Sequence, residues 1–191
     1  MARLWLVYYF IATFLANFLI LWLNQRPTAN FLPSDPNVME DLDRLDIHIL
    51  DLLQDNAGLS NAELADRVGL SANACWRRTR RLEDRGIIRK KVALLSQEKL
   101  SLNVTVFVGI RTNQHNDKWL KQFADGVKAI PEVVEFYRMS GDIDYMLKIV
   151  VRDIADYDRV YKKLISVVPL HDVSSSFAME RIKSTTALPL H

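Results

Sequence analysis

The sequence predicts an α+β protein of two domains: a (winged) helix-turn-helix unit, then a ferredoxin-like βαββαβ unit. Three observations carry this expectation. Between residues 40 and 91, apolar residues recur at helical spacing in three short stretches parted by turn residues. Formal charge splits sharply along those stretches. From Val104 onward, β-branched runs alternate with two amphipathic stripes in the order strand, helix, strand, strand, helix, strand. The composition, 49% hydrophobic and 25% charged, is that of a globular chain and excludes extended disorder. A length of 191 residues suffices for two small domains, each with its own core.

Leu42, Leu45, Ile49, Leu52 and Leu53 recur at spacings of three and four, which predicts an amphipathic helix over Asp41–Asp55 that Asn56-Ala57-Gly58 ends. Ser60-Asn61-Ala62-Glu63 reads as a capping box, the Ser60 hydroxyl and Glu63 carboxylate each satisfying an orphan backbone donor. The short helix behind it turns Leu64, Ala65 and Val68 inward. Gly69 supplies a left-handed residue, and Ser71 caps a third helix that runs to Arg85 before Gly86 stops it. Two short helices on a tight glycine turn, after a longer supporting helix, make the helix-turn-helix layout.

The third helix has a narrow core face of Cys75, Thr79 and Leu82. Its other positions include Asn73, Trp76, Arg77, Arg78, Arg80, Arg81 and Arg85. From Glu40 to Asp66 there are eight acids and one base, and from Arg67 to Lys91 nine bases and two acids. A basic helix, with a basic strand expected at Ile87–Lys91, is the electrostatic footprint of phosphate contact with double-stranded DNA. An arginine-rich helix is often only a solvated face. Here, however, the run falls on the helix that this geometry lays in a major groove. Asn73, Trp76, Arg77 and Arg80, with the capping Ser71, are the candidates for contact at base edges. Arg78, Arg81, Arg85 and Lys90 are expected to face phosphates or to pair with Glu83 and Asp84.

In the second domain, Val104–Ile110 is a strand. Trp119, Leu120, Phe123, Val127 and Ile130 mark a helix ended by Pro131. Val133–Ser140 and Tyr145–Arg152 are strands joined at Gly141-Asp142. Ile154, Tyr157, Val160, Tyr161, Leu164 and Val168 form a second helix closed by Pro169, and Val173–Lys183 is the last strand. Both helices of such a unit cover one sheet face. Phe107, Phe177 and Met179 are expected on the other, which predicts a homodimer packed sheet to sheet.

Chemistry of other kinds finds little support. The single cysteine, Cys75, sits on a core face and suits a reducing cytoplasm. Four scattered histidines make no metal site, so neither metal nor cofactor is expected. No base and nucleophile stand in a recognisable arrangement, and the carboxylates Asp142 and Asp144 are two residues apart in a turn. An enzyme is not expected.

Leu4–Leu23 is an uncharged run of twenty residues, long enough at about 1.5 Å per residue to cross a bilayer, with Trp5, Tyr8, Tyr9 and Trp22 near its ends. Two readings stand. One is a membrane anchor with the DNA-binding part in the cytoplasm. The other, favoured here, takes residues 1–38 as upstream sequence and Met39 as the start of a cytoplasmic protein. The expected division is then a leader to 38, a DNA-binding domain over 39–91, a hinge over 92–103 and a sensing and assembly domain over 104–191.

Leu42–Asp46, Ser60–Ala65, Val68–Ser71, Cys75-Trp-Arg-Arg78, Arg81–Asp84 and Ser140-Gly-Asp-Ile-Asp-Tyr145 together resemble the leucine-responsive regulator/AsnC (feast/famine) family of transcription factors. Cys75–Arg78, Lys91–Leu95 and Ser175–Glu180 look most like its cysteine-responsive, DecR-like branch. The resemblance spans about four-fifths of the chain. It implies a DNA-binding regulator, a dimer that can assemble into octamers, and a small amino-acid effector held near the turn after the second sheet strand. Carried onto this sequence, that turn offers Ser140, Gly141, Asp142, Asp144 and Tyr145, with Ser174 and Ser176 as further hydroxyls. A glycine lets backbone approach a ligand and a carboxylate can pair with an α-ammonium, but a plain hairpin turn would look the same.

Overall fold

The computed structural model describes residues 41–114 and 116–190. The apolar leader and Met39 lie outside the described residues. Among those described, no helix is long and apolar enough to cross a membrane. Contacts divide them into two compact units, meeting in sequence between Ile87 and Ile88.

The first unit holds α1 (Arg44–Asp55), α2 (Asn61–Val68) and α3 (Ala72–Asp84). Helix α1 begins three residues later than its apolar pattern suggests, because Asp43 is its N-cap and accepts from the Asp46 N–H at 2.9 Å. Its buried face also differs from the expected stripe. Ile49, Leu50 and Leu53 are buried with Asp46, whereas Leu45 and Leu52 are half-buried. The i, i+4, i+7, i+8, i+11 row from Leu42 therefore runs through a carboxylate. The capping box at α2 forms as expected, with Ser60 N–H to Glu63 at 2.8 Å and Glu63 N–H to Ser60 Oγ at 3.2 Å. Gly69 closes α2 at φ +73°, and Leu70 N–H returns to the Ala65 carbonyl at 2.9 Å.

The basic strand expected at Ile87–Lys91 is absent: among the described residues, none before Val104 is a strand. A strand needs a neighbouring strand for its backbone donors and acceptors, and among the described residues every strand pairing lies within Val104–Phe177.

The second unit contains β1 (Val104–Arg111), α4 (Asp117–Lys128), β2 (Val133–Arg138), β3 (Tyr145–Val151), α5 (Ile154–Val167) and β4 (Asp172–Phe177). The antiparallel sheet has the order β2-β3-β1-β4, the split βαβ arrangement expected of a ferredoxin-like unit. Val106, Val108 and Ile110 of β1 and Tyr145, Leu147, Ile149 and Val151 of β3 meet Trp119, Phe123 and Val127 of α4 and Tyr157, Val160 and Leu164 of α5 in one core. Gly126 permits close approach of the two helices, since a Cβ there would lie 2.2 Å from Val167 Cγ1.

Two expectations for β4 need correction. It ends at Phe177 rather than Lys183, because its partner runs out: the last rung is Ala178 N–H to the Thr105 carbonyl, one residue past the start of β1. Phe177 lies opposite the buried Val106, and its ring meets Tyr157 edge-on at 5.2 Å, so it faces the helices and not the open sheet face. Phe107 does face the open side, where β2 and β3 add Glu135, Tyr137, Met146 and Lys148, with Glu135 and Lys148 paired at 2.7 Å.

Candidate functional site

Helix α3 is fixed at its N-terminus by two local bonds. Ser71 Oγ accepts from Ala74 N–H at 3.3 Å, and Asn61 Nδ2 donates to the Ala72 carbonyl at 2.8 Å. Cys75, Thr79 and Leu82 are its buried residues, as the spacing predicts. Burial raises the Cys75 thiol pKa, which leaves it protonated and inert.

The outward face presents Ser71, Asn73, Trp76, Arg77 and Arg80, all exposed. Trp76 is 55% exposed, a large apolar surface with no place in the core. Arg80 lies 3.5 Å from Glu83 and 3.3 Å from Asp84, an open pairing that solvent weakens. Arg78 and Arg81 do otherwise. Both reach the start of α1, Arg78 Nη1 donating to Asp43 at 2.7 Å and Asp46 at 2.8 Å, and Arg81 Nη2 donating to the other Asp46 oxygen. The Asp46 side chain is wholly buried. The Asp46 N–H, and then the Arg78 guanidinium, hold the Asp43 carboxyl below the usual carboxylate range. Sequence reasoning missed Asp46, though its place in the Leu42–Leu53 row was a usable signal. Lys90 is exposed in the segment that opens the second unit.

The other candidate site is the turn between β2 and β3. Ser140, Gly141 and Asp142 are exposed, and Gly141 has φ +123°, a conformation that suits glycine. The turn is tied to the end of β1: Asp144 accepts from Thr112 N–H at 2.8 Å and donates its own N–H to the Ile110 carbonyl at 2.9 Å. Arg111 Nε donates to the Asp142 carbonyl at 2.6 Å, and among the described residues no hydrogen bond or ion pair engages the Asp142 carboxylate. Asp144 is thus bound up in the fold, and Arg111 and Thr112 join a site that sequence patterning did not assign to them.

The structure does not bring all the expected residues together. Ser174 pairs across from Gly109, which Ile143 of the turn covers, so Ser174 sits beside the turn on the open face. Ser176 lies one step further along that face, opposite Phe107. Tyr145 is 5% exposed, its ring packed among Trp119, Phe123 and Phe136, and burial raises its hydroxyl pKa. Its ring is part of the core under α4, away from Ser174 and Ser176. Among the described residues, no group of histidine, cysteine or acidic side chains could hold a metal.

A capped helix with a basic outward face in one unit, and a four-stranded α+β unit in the other, define a DNA-binding regulator with an attached ligand-binding domain. Comparison with known proteins makes the class specific. Residues 42–89 match the winged helix-turn-helix DNA-binding model, and residues 105–188 match the Lrp/AsnC ligand binding domain. The chain is 54% identical over 153 residues to the glutamate uptake regulatory protein of Zymomonas mobilis, covering 80% of this chain and 93% of that one. It is 48% identical over 150 residues to the DNA-binding transcriptional activator DecR of Escherichia coli K12, covering 78% and 99%. A transcriptional regulator of Neisseria meningitidis, solved as a complex with L-Met, superposes with a TM-score of 0.75 at 39% identity over 78% of this chain and 97% of that one. The chain belongs to the Lrp/AsnC family of DNA-binding transcriptional regulators. These relatives are regulators, not enzymes.

Proposed function

We propose that this regulator reads duplex DNA with Ser71, Asn73, Trp76, Arg77 and Arg80 of α3, aided by Lys90 at the phosphates, and that a small amino acid bound at the Ser140–Asp144 turn modulates that reading. L-Cysteine is the ligand to test first, on the likeness of Cys75–Arg78, Lys91–Leu95 and Ser175–Glu180 to the DecR-like branch. The observation that carries the DNA reading is the outward face of α3, where exposed polar, basic and indole groups stand on a helix capped at its N-terminus. The relatives include one named for glutamate uptake and one solved with L-Met, which supports an amino acid as the class of ligand. The free Asp142 carboxylate supplies a partner for an α-ammonium.

Genomic footprinting with residues 39–191, with and without amino acids, tests both halves. Arg77→Ala is expected to relax sequence preference, and Lys90→Ala to weaken all duplexes alike and flatten the salt dependence. If neither substitution alters binding, α3 is not the reading helix. Asp142→Ala is expected to abolish the effector response and leave effector-free binding intact. Calorimetry that finds none of the twenty amino acids bound removes the sensor.

The open sheet face, with Phe107, Tyr137 and Met146, supports a homodimer packed sheet to sheet, the unit from which an octamer would assemble. Light scattering of Phe107→Glu against wild type tests it, a monomer being the expected outcome.

The domains proposed are 39–91 for DNA binding, 92–103 as hinge and 104–191 for sensing and assembly, in a cytoplasmic protein. The apolar run Leu4–Leu23 favours a second reading, a membrane-tethered form of the same regulator. A peptide from residues 1–26 in native cells, with protein resisting carbonate extraction, would establish the tethered form.

A further inference from the structure

The basic residues of α3 fall into the two sets that helical spacing separates, and the structure supplies the partners of the second set. Arg77 and Arg80 are exposed to solvent, with Arg80 paired only to its own helix. Arg78, Arg81 and Arg85, at spacings of three and four, form one stripe along the helix, and each meets a carboxylate at or near the start of α1. Asp46 is the centre of that contact. Its side chain has no exposure, and each of its two oxygens takes a different arginine. Asp43 binds Arg78 from the surface side, and Asp41 lies 3.3 Å from Arg85.

A buried carboxylate is tolerated only while it is paired, and the planar, forked guanidinium makes the pairing directional. Two guanidinium groups from successive turns of α3, each giving one nitrogen to a different oxygen of the same α1 carboxylate, set the rotation of α3 about its own axis. A rotation that moved Arg78 and Arg81 toward solvent would strand Asp46 without partners. That same rotation would carry Asn73, Trp76, Arg77 and Arg80 away from the outward face.

We propose that Asp46 is a positioning residue for DNA reading, which locks the rotation of α3 through Arg78 and Arg81 and withdraws both arginines from phosphate contact. This rests on α3 being the reading helix. It gives Arg78 and Arg81 a task other than the phosphate contact or the pairing with Glu83 and Asp84 expected of them, and it assigns the neutralising half of the split charge in this domain to a mechanical task. Roughly half of the arginine charge on α3 then serves the fold, and sequence preference depends on a residue that never touches DNA.

The test uses the full-length protein in mild non-ionic detergent. The probes are a duplex selected by wild type from a random-sequence library and a scrambled duplex of the same composition. Affinity for each is measured across a salt series. A phosphate-contacting arginine contributes a slope of about 0.9 per bound protomer in log K against log salt. Arg81→Gln is expected to leave that slope unchanged while the preference for the selected duplex falls by about tenfold or more. Asp46→Asn is expected to lower the preference as much, with affinity for the scrambled duplex unchanged or raised as two arginines are freed. A loss of folded protein would instead reduce binding to both duplexes in proportion and leave the preference intact.

Should Asp46→Asn not fold, Arg81→Gln decides alone, because its side chain is half exposed and its removal leaves Arg78 on Asp46. A slope flattened by Arg81→Gln as much as by Lys90→Ala, or a preference left at the wild-type value, overturns the proposal. Failure of the underlying reading is recognised separately. Wild type would then show no salt-dependent duplex binding, or Arg77→Ala would change nothing.

Discussion

The two units solve the same packing problem by different means. The α+β unit buries a continuous core in which the rings of Trp119, Phe123, Phe136 and Tyr145 stack, tilt or meet edge to face at 5.0 to 6.0 Å. The helical unit has aliphatic side chains and one cysteine, with a buried carboxylate among them and two arginines closing over it. A small unit buries a smaller share of its surface, so burial alone leaves its helices marginal. Caps and directed ion pairs then carry a larger share there, whereas in the larger unit the buried Asp156, held by Arg152 and Arg159, is an addition to the aromatic core. Burial is non-directional, whereas a guanidinium fork on a carboxylate specifies orientation. The difference suits a surface whose task depends on the angle at which one helix faces outward.

The largest effect expected on that contrast is from Phe123→Ala. Phe123 is fully buried at the centre of the aromatic group, and its truncation should cost about 3–5 kcal/mol. Calorimetry should show the α+β transition fall and the helical one hold. A single transition moving as a whole would break the comparison.

Gly126→Ala comes next. Alanine gains about 1 kcal/mol of helix propensity over glycine, but overpacking against Val167 costs about 1–3 kcal/mol. A lowered melting temperature is expected, recovered in the double variant with Val167→Ala, where the obstructing methyls are gone.

In the helical unit Ser60→Ala removes one arm of the capping box, a loss of about 1 kcal/mol read as a lower denaturant midpoint. The α+β transition should not move.

The smallest effect is a pH dependence at Asp43. Its folded-state pKa lies below the usual value, so its contribution is fully present above the ordinary carboxylate range. That contribution is lost as pH falls through the depressed value. Asp43→Asn keeps an N-cap of equal quality and removes only the charge. Its melting temperature should lie slightly below wild type at neutral pH and converge with it in acid. Parallel curves down to the lowest pH would show that the charge does not contribute.

Much of this molecule was legible in its residues. Ser60, Glu63, Gly69 and Ser71 act within five positions of themselves, so capping box, turn and helix starts followed directly from order in the chain. Alternation of β-branched residues and two amphipathic stripes likewise determined the βαββαβ order, and the Ser140–Tyr145 motif pointed to the turn tied to β1. The outward face of α3 was legible in part: the Cys75, Thr79, Leu82 row fixed which side of the helix is buried and so which side faces water.

What only the tertiary structure decided involves partners distant in sequence. Arg77 and Arg78 are neighbours of identical chemistry, and their fates differ because Asp46, more than thirty residues away, stands beside one of them. Phe177 faces the helices because its register is set by pairing with Val106, and a strand alternates faces with every residue. Strand β4 stops where β1 begins, and among the described residues the strand pairings do not extend to the basic segment after α3. Tyr145 belongs to the turn motif by sequence and to the aromatic core by packing. Local chemistry determined the elements and their caps; which side chain meets which was fixed only by contacts across space.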